Sequence, residues 1–363
     1  MDSFQDARIL VTGGAGFVGG NLCRRLLEDG PARIIVIDNL LSSEIDNLPE
    51  GRGVEFVHGS ITNDRILARL PDDLDYCFHL ATYHGNQSSM HDPLADHENN
   101  TLTTLKLLER LKDLRGLRKL VYASAGCTVA HKTFEAAEAT RETDPVSLHL
   151  DSPYQISKII GEFYGNYYFT RHGVPFVKAR FQNVYGPGEI LGAGEWRGTP
   201  ATVWRNVTPT FIWKALQGEA LPVDNGGIAT RDFIYVDDIV EGLVRCALRG
   251  TAGEIYNLAS GVETSIKDLA DLVNALAGNR APLALQPARD WDRSGKRYGD
   301  PAKARGELGF TADVALRDGL ARTIDWTRRN CRLIERCMAR HAGFMRAPGE
   351  RGTEDFRPGR RDD

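Results

Sequence analysis

The sequence predicts an α/β fold, a doubly wound parallel sheet followed by a smaller mixed α/β lobe, and three observations predict it. Short apolar or β-branched runs alternate with stretches of helical periodicity through the first half of the chain. Those runs are apolar at consecutive positions, as strands covered by helices on both faces must be. A glycine-rich segment, Thr12-Gly13-Gly14-Ala15-Gly16-Phe17-Val18-Gly19, stands between the first strand and the first helix.

The elements follow in order. Arg8-Ile9-Leu10-Val11 reads as the first strand, and a helical pattern runs from residue 17 to about 27. Further strands are expected at residues 33–37, 54–57, 76–80, 119–124 and 175–179, with the clearest helices at 100–111 and 154–169. After about residue 181 the rhythm breaks. Residues 186–228 are rich in Gly, Pro and Trp and open a second lobe, and 231–236 then reads as a strand followed by a helix from Asp237. The expected division is therefore 1–181, rejoined by about 229–260, as the first domain, with 182–228 and 261–340 as a substrate lobe. Residues 342–363, charged and bearing Gly and Pro, are expected to form a disordered tail. Residues 188–206, with Trp196 and Trp204, form a long insertion whose tryptophans can stack on a ligand or bury a loop.

Composition excludes several classes. A net charge of −4 with mixed signs offers no basic surface for nucleic acid or anionic lipid. The six cysteines show no metal-type spacing, so no metal is expected. No apolar run reaches the length of a membrane span, and the first strand begins within ten residues of Met1. A soluble cytoplasmic protein is the expectation.

Strand, glycine-rich turn and helix together make a dinucleotide-binding loop. Gly13 permits the tight turn, Gly16 lets a pyrophosphate approach the backbone, and Gly19 allows the helix to pack close. The helix N-terminus adds N–H donors and positive partial charge. Asp38 stands at the end of the second strand, 22 residues beyond Gly16, where a carboxylate accepts both adenosine ribose hydroxyls and repels a ribose phosphate. NAD is the expected cofactor. The chemistry is expected at Tyr154 and Lys158, four apart on one helix face. A phenol with an ordinary pKa of about 10 becomes a base near neutrality only if a cation such as the lysine ammonium stabilises the phenolate. Ser124, at the end of the preceding strand, is placed to hydrogen-bond the same substrate oxygen.

The chain resembles the extended short-chain dehydrogenase/reductase family, the nucleotide-sugar epimerases and dehydratases of the UDP-glucose 4-epimerase kind. The resemblance spans roughly residues 7 to 330. It rests on the glycine loop, Asp38-Asn39, His79-Leu80-Ala81, Asn99-Asn100, Ser124, Tyr154-Gln-Ile-Ser-Lys158, Asn183-Val-Tyr-Gly-Pro187 and Thr230-Arg-Asp-Phe-Ile-Tyr-Val-Asp237. It implies that Phe17, Val18, Asn39, Ser60, Ile61, Leu80, Ala81, Thr82 and Asn99 join the glycines, Asp38, Tyr154 and Lys158 around NAD. It also implies a sugar-diphosphate clamp of Asn183, Asn206, Arg231 and Arg293, with His84 in reach of the sugar or serving as a loop histidine. Finally, it implies a homodimer formed through the helices at 101–111 and 154–169.

Within such a family the residues after Ser124 sort the reactions. Ala125 and Gly126 stand where a 4,6-dehydratase resembles Asp-Glu, so dehydration is disfavoured, and decarboxylation less firmly so. Transient oxidation at C4 and return of the hydride to the other face, a C4 epimerisation, is the expected reaction. The loop departs from the family pattern, however. The usual hydroxyl position falls on Ala125, leaving Ser124, the preferred candidate, or Thr128 to serve. Cys127 falls near a cysteine that 3,5-epimerases use as a proton shuttle, or it is a small packed residue. A non-catalytic NAD-binding sensor or scaffold is the alternative of another class.

Overall fold

Consecutive apolar residues in the central strand runs are explained by a sheet buried on both faces. The computed structural model describes residues 3–41, 43–51, 53–129, 133–189, 206–288 and 295–340. Its first half comprises β1 (Arg8–Thr12), α1 (Phe17–Glu28), β2 (Arg33–Asp38), β3 (Val54–His58), α2 (Asp64–Leu67), β4 (Tyr76–His79), α3 (Asn86–His91), α4 (Pro93–Asp96), a π-helical turn (His97–Leu102), α5 (Thr103–Leu111) and β5 (Lys119–Ala125). Next come β6 (Ala139–Thr140), α6 (Pro153–His172), β7 (Phe176–Phe181), β8 (Asn183–Tyr185), α7 (Val207–Leu216), β9 (Pro222–Asp224), β10 (Thr230–Tyr235) and α8 (Val236–Arg249). The remainder comprises β11 (Ile255–Leu258), β12 (Glu263–Ser265), α9 (Ile266–Ala277), β13 (Ala284–Gln286), β14 (Tyr298–Gly299), α10 (Leu316–Arg329) and α11 (Cys331–Arg340).

Seven parallel strands in the order β11-β7-β5-β4-β1-β2-β3 make a Rossmann-type sheet. Successive side chains take opposite faces. Ile9, Val11, Ile34, Val36 and Phe78 pack on one side with Leu22 and Leu26 of α1 and Ile239 and Leu243 of α8. Leu10, Ile35, Ile37, Cys77 and Leu120 pack on the other with Leu107, Leu108 and Leu111 of α5. Strand order reverses at β1, whose Thr12 pairs with Ile37 on one side and His79 on the other. The loops leaving β1 and β4 therefore diverge and open a crevice at the carboxyl edge.

The sequence also sets the limits of α6. Ser152 caps it by accepting from the Gln155 N–H, Pro153 opens the first turn, and Gly173 ends it in the left-handed conformation at φ 72°. The segment expected to form one helix over 100–111 instead begins with the π-helical turn at His97–Leu102. β10, expected to return to the first domain, pairs with β8 and β12 in a smaller sheet. Asp232 ties β10 to the turn after β11 and to β14, its carboxylate accepting from Ser260 N (2.9 Å), Ser260 Oγ (2.6 Å), Gly261 N (3.0 Å) and Gly299 N (3.3 Å). The return to the main sheet is made by α8 and β11. Trp196, Trp204, Arg293 and the segment from 342 lie outside the described residues.

Candidate functional site

Tyr154 and Lys158 occupy the first two turns of α6, four residues apart, and both are buried. Lys158 Nζ donates to the Ala123 carbonyl on β5 (2.9 Å) and lies 5.3 Å from the Tyr122 ring centre and 5.8 Å from that of Tyr154. Burial lowers the Lys158 pKa to about 8, against the opposing pull of the Asp96 and Cys127 charges. The site thus holds an ammonium beside a phenol, close to the pH at which that ammonium loses its proton. His84, half-buried, meets the Tyr154 ring edge-on at 5.5 Å. Cys127, half-buried in the turn after β5, is near enough for its charge to act on Lys158, so the structure brings together a cysteine and a lysine that the sequence left apart.

Ser124 is already engaged. Its hydroxyl donates to Glu162 Oε1 (2.6 Å), and Glu162 is paired through both oxygens with Arg180 (2.8 Å each). Ser124 and Arg180 are register partners on β5 and β7, so both meet the same face of α6. With its one proton committed to a buried ion pair, Ser124 has none to offer a substrate oxygen. Thr128, the other candidate, donates to the Ala125 carbonyl (2.8 Å).

Beneath the pair runs a buried polar network that the sequence reading missed. Asn100 Oδ1 accepts from Thr82 Oγ1 (2.9 Å) and Tyr83 N (2.7 Å). Its Nδ2 donates to Tyr83 O (3.1 Å), Asp96 Oδ1 (2.7 Å) and, more weakly, Ser157 Oγ (3.3 Å). Asn99, the residue expected at the cofactor, turns its amide back onto Ala95 O (2.9 Å). The spacing of Asp96 and Asn100, one helical turn apart, was the available signal. A second chain of bonds joins Thr12 Oγ1 to His79 Nδ1 (2.7 Å) and His79 Nε2 to Thr104 Oγ1 (3.0 Å). Because Thr104 donates its proton to Asn100 O (2.7 Å), it must accept from Nε2, and Nδ1 then accepts from Thr12. His79 is held neutral, its pKa lowered to about 3 by burial and by the Lys158 charge.

The glycine loop lies at the crevice. Gly13 has φ 74°, and a Cβ there would stand 2.6 Å from Ala81 N, so the loops leaving β1 and β4 touch through backbone alone. A Cβ on Gly19 would stand 2.3 Å from Gly13 O, so that glycine serves the turn rather than the strand. α1 has no side-chain cap at Gly16, so no capping side chain opposes the first-turn N–H groups of Phe17 and Val18, the kind of helix start that favours an anion.

The model of the NAD dependent epimerase/dehydratase family matches residues 9–259. The chain belongs to that family. The UDP-glucose 4-epimerase of Mycolicibacterium smegmatis is 31% identical to this family member over 325 residues, 88% of this chain and 98% of that protein. The Bordetella bronchiseptica enzyme WbmF, solved in complex with NAD+ and UDP, is 59% identical with a TM-score of 0.85, over 95% of this chain and 99% of that one. The UDP-glucose 4-epimerase of Thermotoga maritima, solved with UDP-glucose, is 29% identical with a TM-score of 0.81, over 89% and 99%.

NAD is the cofactor of this epimerase/dehydratase. The uncapped α1 N-terminus and the Gly13–Ala81 approach fit its pyrophosphate. Asp38 fits the ribose with less room than expected. Its Oδ1 already accepts from Leu40 N (2.9 Å) and Ser43 Oγ (2.7 Å), and Oδ2 from Ala15 N (3.0 Å). One acceptor position on Oδ2 remains, enough for one hydroxyl rather than two. Leu80, Ala81 and Thr82 follow β4 at the crevice, and Ser60 follows β3 with its Oγ accepting from Thr62. Ile61 points into the core, and Asn39 is exposed and closes a turn on Leu41 N.

In the smaller sheet Asn183 begins β8 opposite Phe233. Arg231 is pinned, with Nη1 donating to Thr230 O (2.6 Å) and Gly295 O (2.7 Å). Asn206 immediately precedes α7 without a capping side-chain bond, and its Nδ2 donates to Glu189 Oε1 (2.5 Å). Arg297, which the sequence reading passed over, has a buried Nη1 with no acceptor among the described residues.

The His79 network generates a stability prediction. Native His79 stays neutral down to about pH 3, whereas in the unfolded chain it takes a proton near pH 6.5. Between those values the unfolded state binds more protons, so stability falls as pH is lowered. Between pH 7 and pH 5 this amounts to about 2 kcal/mol. Urea unfolding at both pH values should show that loss in the parent and a loss smaller by this amount in His79→Gln; equal losses in the two proteins contradict it.

Proposed function

We propose that this enzyme is an epimerase of a nucleotide-diphosphate sugar, oxidising C4 transiently and restoring it with inverted configuration. The observation that carries the reading is the Tyr154–Lys158 pair buried together against the end of β5. Tyr154, as phenolate, takes the proton of the C4 hydroxyl. Lys158 holds that phenolate through its charge, and Tyr154 returns the proton after the keto sugar has turned over in the site. NAD, when bound, accepts the hydride from C4 and gives it back. The Mycolicibacterium smegmatis and Thermotoga maritima relatives support the C4 assignment, and the UDP in the complex of WbmF supports a uridine nucleotide.

The turn after Ser124 argues against dehydration, which needs an acid and a base across C5 and C6. Ala125 and Gly126 supply neither, and a side chain at 126 would have to displace the Gln182 amide, 2.2 Å from where its Cβ would stand. Asn183, Asn206, Arg231, Arg293 and His84 are proposed to hold the sugar diphosphate. A second reading, a 3,5-epimerase, is favoured by one observation: Cys127, in the turn after β5, stands within range of the buried Lys158.

Tyr154→Phe should lower turnover by about 10²–10⁴-fold while NAD stays bound. Unchanged turnover removes Tyr154 as the base, and a parent protein that binds NAD yet turns over no sugar in a panel of UDP-, dTDP-, GDP- and CDP-sugars supports a sensor or scaffold. Run in heavy water, the same panel separates the two epimerases. A C4 epimerase yields product without carbon-bound deuterium, whereas deuterium at C3 or C5 supports Cys127 and overturns the C4 reading.

A homodimer is proposed as the working form. Ile156, Phe163 and Tyr167 project from α6 with 43%, 56% and 55% exposure, spaced seven and four apart as one apolar stripe suited to a second copy. The molecular mass in solution should be twice that of the chain, and a monomeric mass at micromolar concentration contradicts this.

A further inference from the structure

Asp96, at the end of α4, is 1% exposed. Such a carboxylate needs donors or a cation. Asn100 donates to its Oδ1 at 2.7 Å, and the Ser157 hydroxyl lies within hydrogen-bonding reach of both this carboxylate and the Tyr154 carbonyl (3.0 Å). Among the described residues Asp96 makes no direct ion pair. The cationic groups whose charges act on it are Lys158 first and then His97.

The surroundings of Lys158 give this acid its meaning. From its own helix Lys158 is met by Tyr154 and, one turn on, by Glu162, but the charge of Glu162 is taken by Arg180. From β5 it meets the Tyr122 ring and the Ala123 carbonyl, and from β4 the neutral His79. Cys127, in the turn after β5, carries charge only when deprotonated. Asp96 is thus the carboxylate left to balance a buried ammonium. A π-helical turn directly follows it, a feature frequent at functional sites, and lets Asn100 reach Asp96, the Tyr83 backbone and α6 together.

We propose that Asp96 is a positioning residue of the reaction, which keeps the Lys158 ammonium charged and, through Asn100 and Ser157, fixed relative to Tyr154. The inference rests on the Tyr154–Lys158 reading above. Burial alone works against the Lys158 charge, and removing the one compensating carboxylate makes the lysine surrender its proton at lower pH.

The test follows the Lys158 Cε resonance of full-length, NAD-loaded protein carrying [ε-13C]lysine, assigned by its loss in Lys158→Met. Asp96→Asn, which still accepts from Asn100, should lower the Lys158 titration midpoint by about one pH unit, a tenfold change. An unmoved midpoint overturns the proposal, even if the variant is less stable, because a purely structural role would cost stability alone. Should Asp96→Asn not fold, the reciprocal measurement decides. In Lys158→Met the Asp96 carboxyl resonance should titrate at higher pH than in the parent, and an unchanged Asp96 midpoint overturns the proposal equally. Tyr154→Phe keeps the two readings apart: full activity there sinks the base assignment whatever Asp96 does, and loss of activity with an unmoved Lys158 midpoint sinks Asp96 alone.

Discussion

One buried amide holds the site in register. Asn100 joins the loop after β4, through Thr82 and Tyr83, to Asp96 on α4 and Ser157 on α6. The loop borders the crevice and α6 carries Tyr154 and Lys158, so the crevice edge and the proposed base are tied through a single side chain. An unpaired polar group at such depth costs about 1–3 kcal/mol, and satisfying every donor and acceptor of one amide across three segments leaves little freedom for any of them. The His79 chain extends the arrangement from Thr12, beside the glycine loop, to the Asn100 carbonyl.

Charge follows the same geometry. Among the buried ionisable groups on or against α6, three are managed differently. Glu162 is paired with Arg180, His79 is kept neutral by burial, and Lys158 keeps a charge under tension. A lysine in water stabilises a neighbouring phenolate weakly because solvent screens it. Burial strengthens that interaction and brings the lysine close to losing its proton. Both effects come from the same exclusion of water, and a nearby carboxylate charge offsets the second.

Much of the fold was legible because its signals are local. The run Arg33-Ile34-Ile35-Val36-Ile37 can hardly be anything but a covered strand, and Gly13 to Gly19 between strand and helix has one common use. Tyr154 and Lys158 were readable because four residues on a helix make one face. What escaped the sequence was long-range or depended on direction. The fate of the Ser124 hydroxyl is decided by Glu162 and Arg180, 38 and 56 positions away. Asn99 and Asn100 are equivalent in composition, and only the wide turn that begins at His97 decides which one faces inward. Asp38 stands at the end of β2 as its sequence position implied, but the three donors it already serves could not be read from that position.

The central claim is that Tyr154 and Lys158 serve an oxidation at C4 whose hydride never leaves the site. The most direct measurement follows a substrate sugar deuterated at C4 through complete turnover by the NAD-loaded enzyme. Turnover should be slowed and deuterium retained at C4 of the epimerised product. Turnover at the undeuterated rate, with new hydrogen from solvent at C3 or C5, would contradict it.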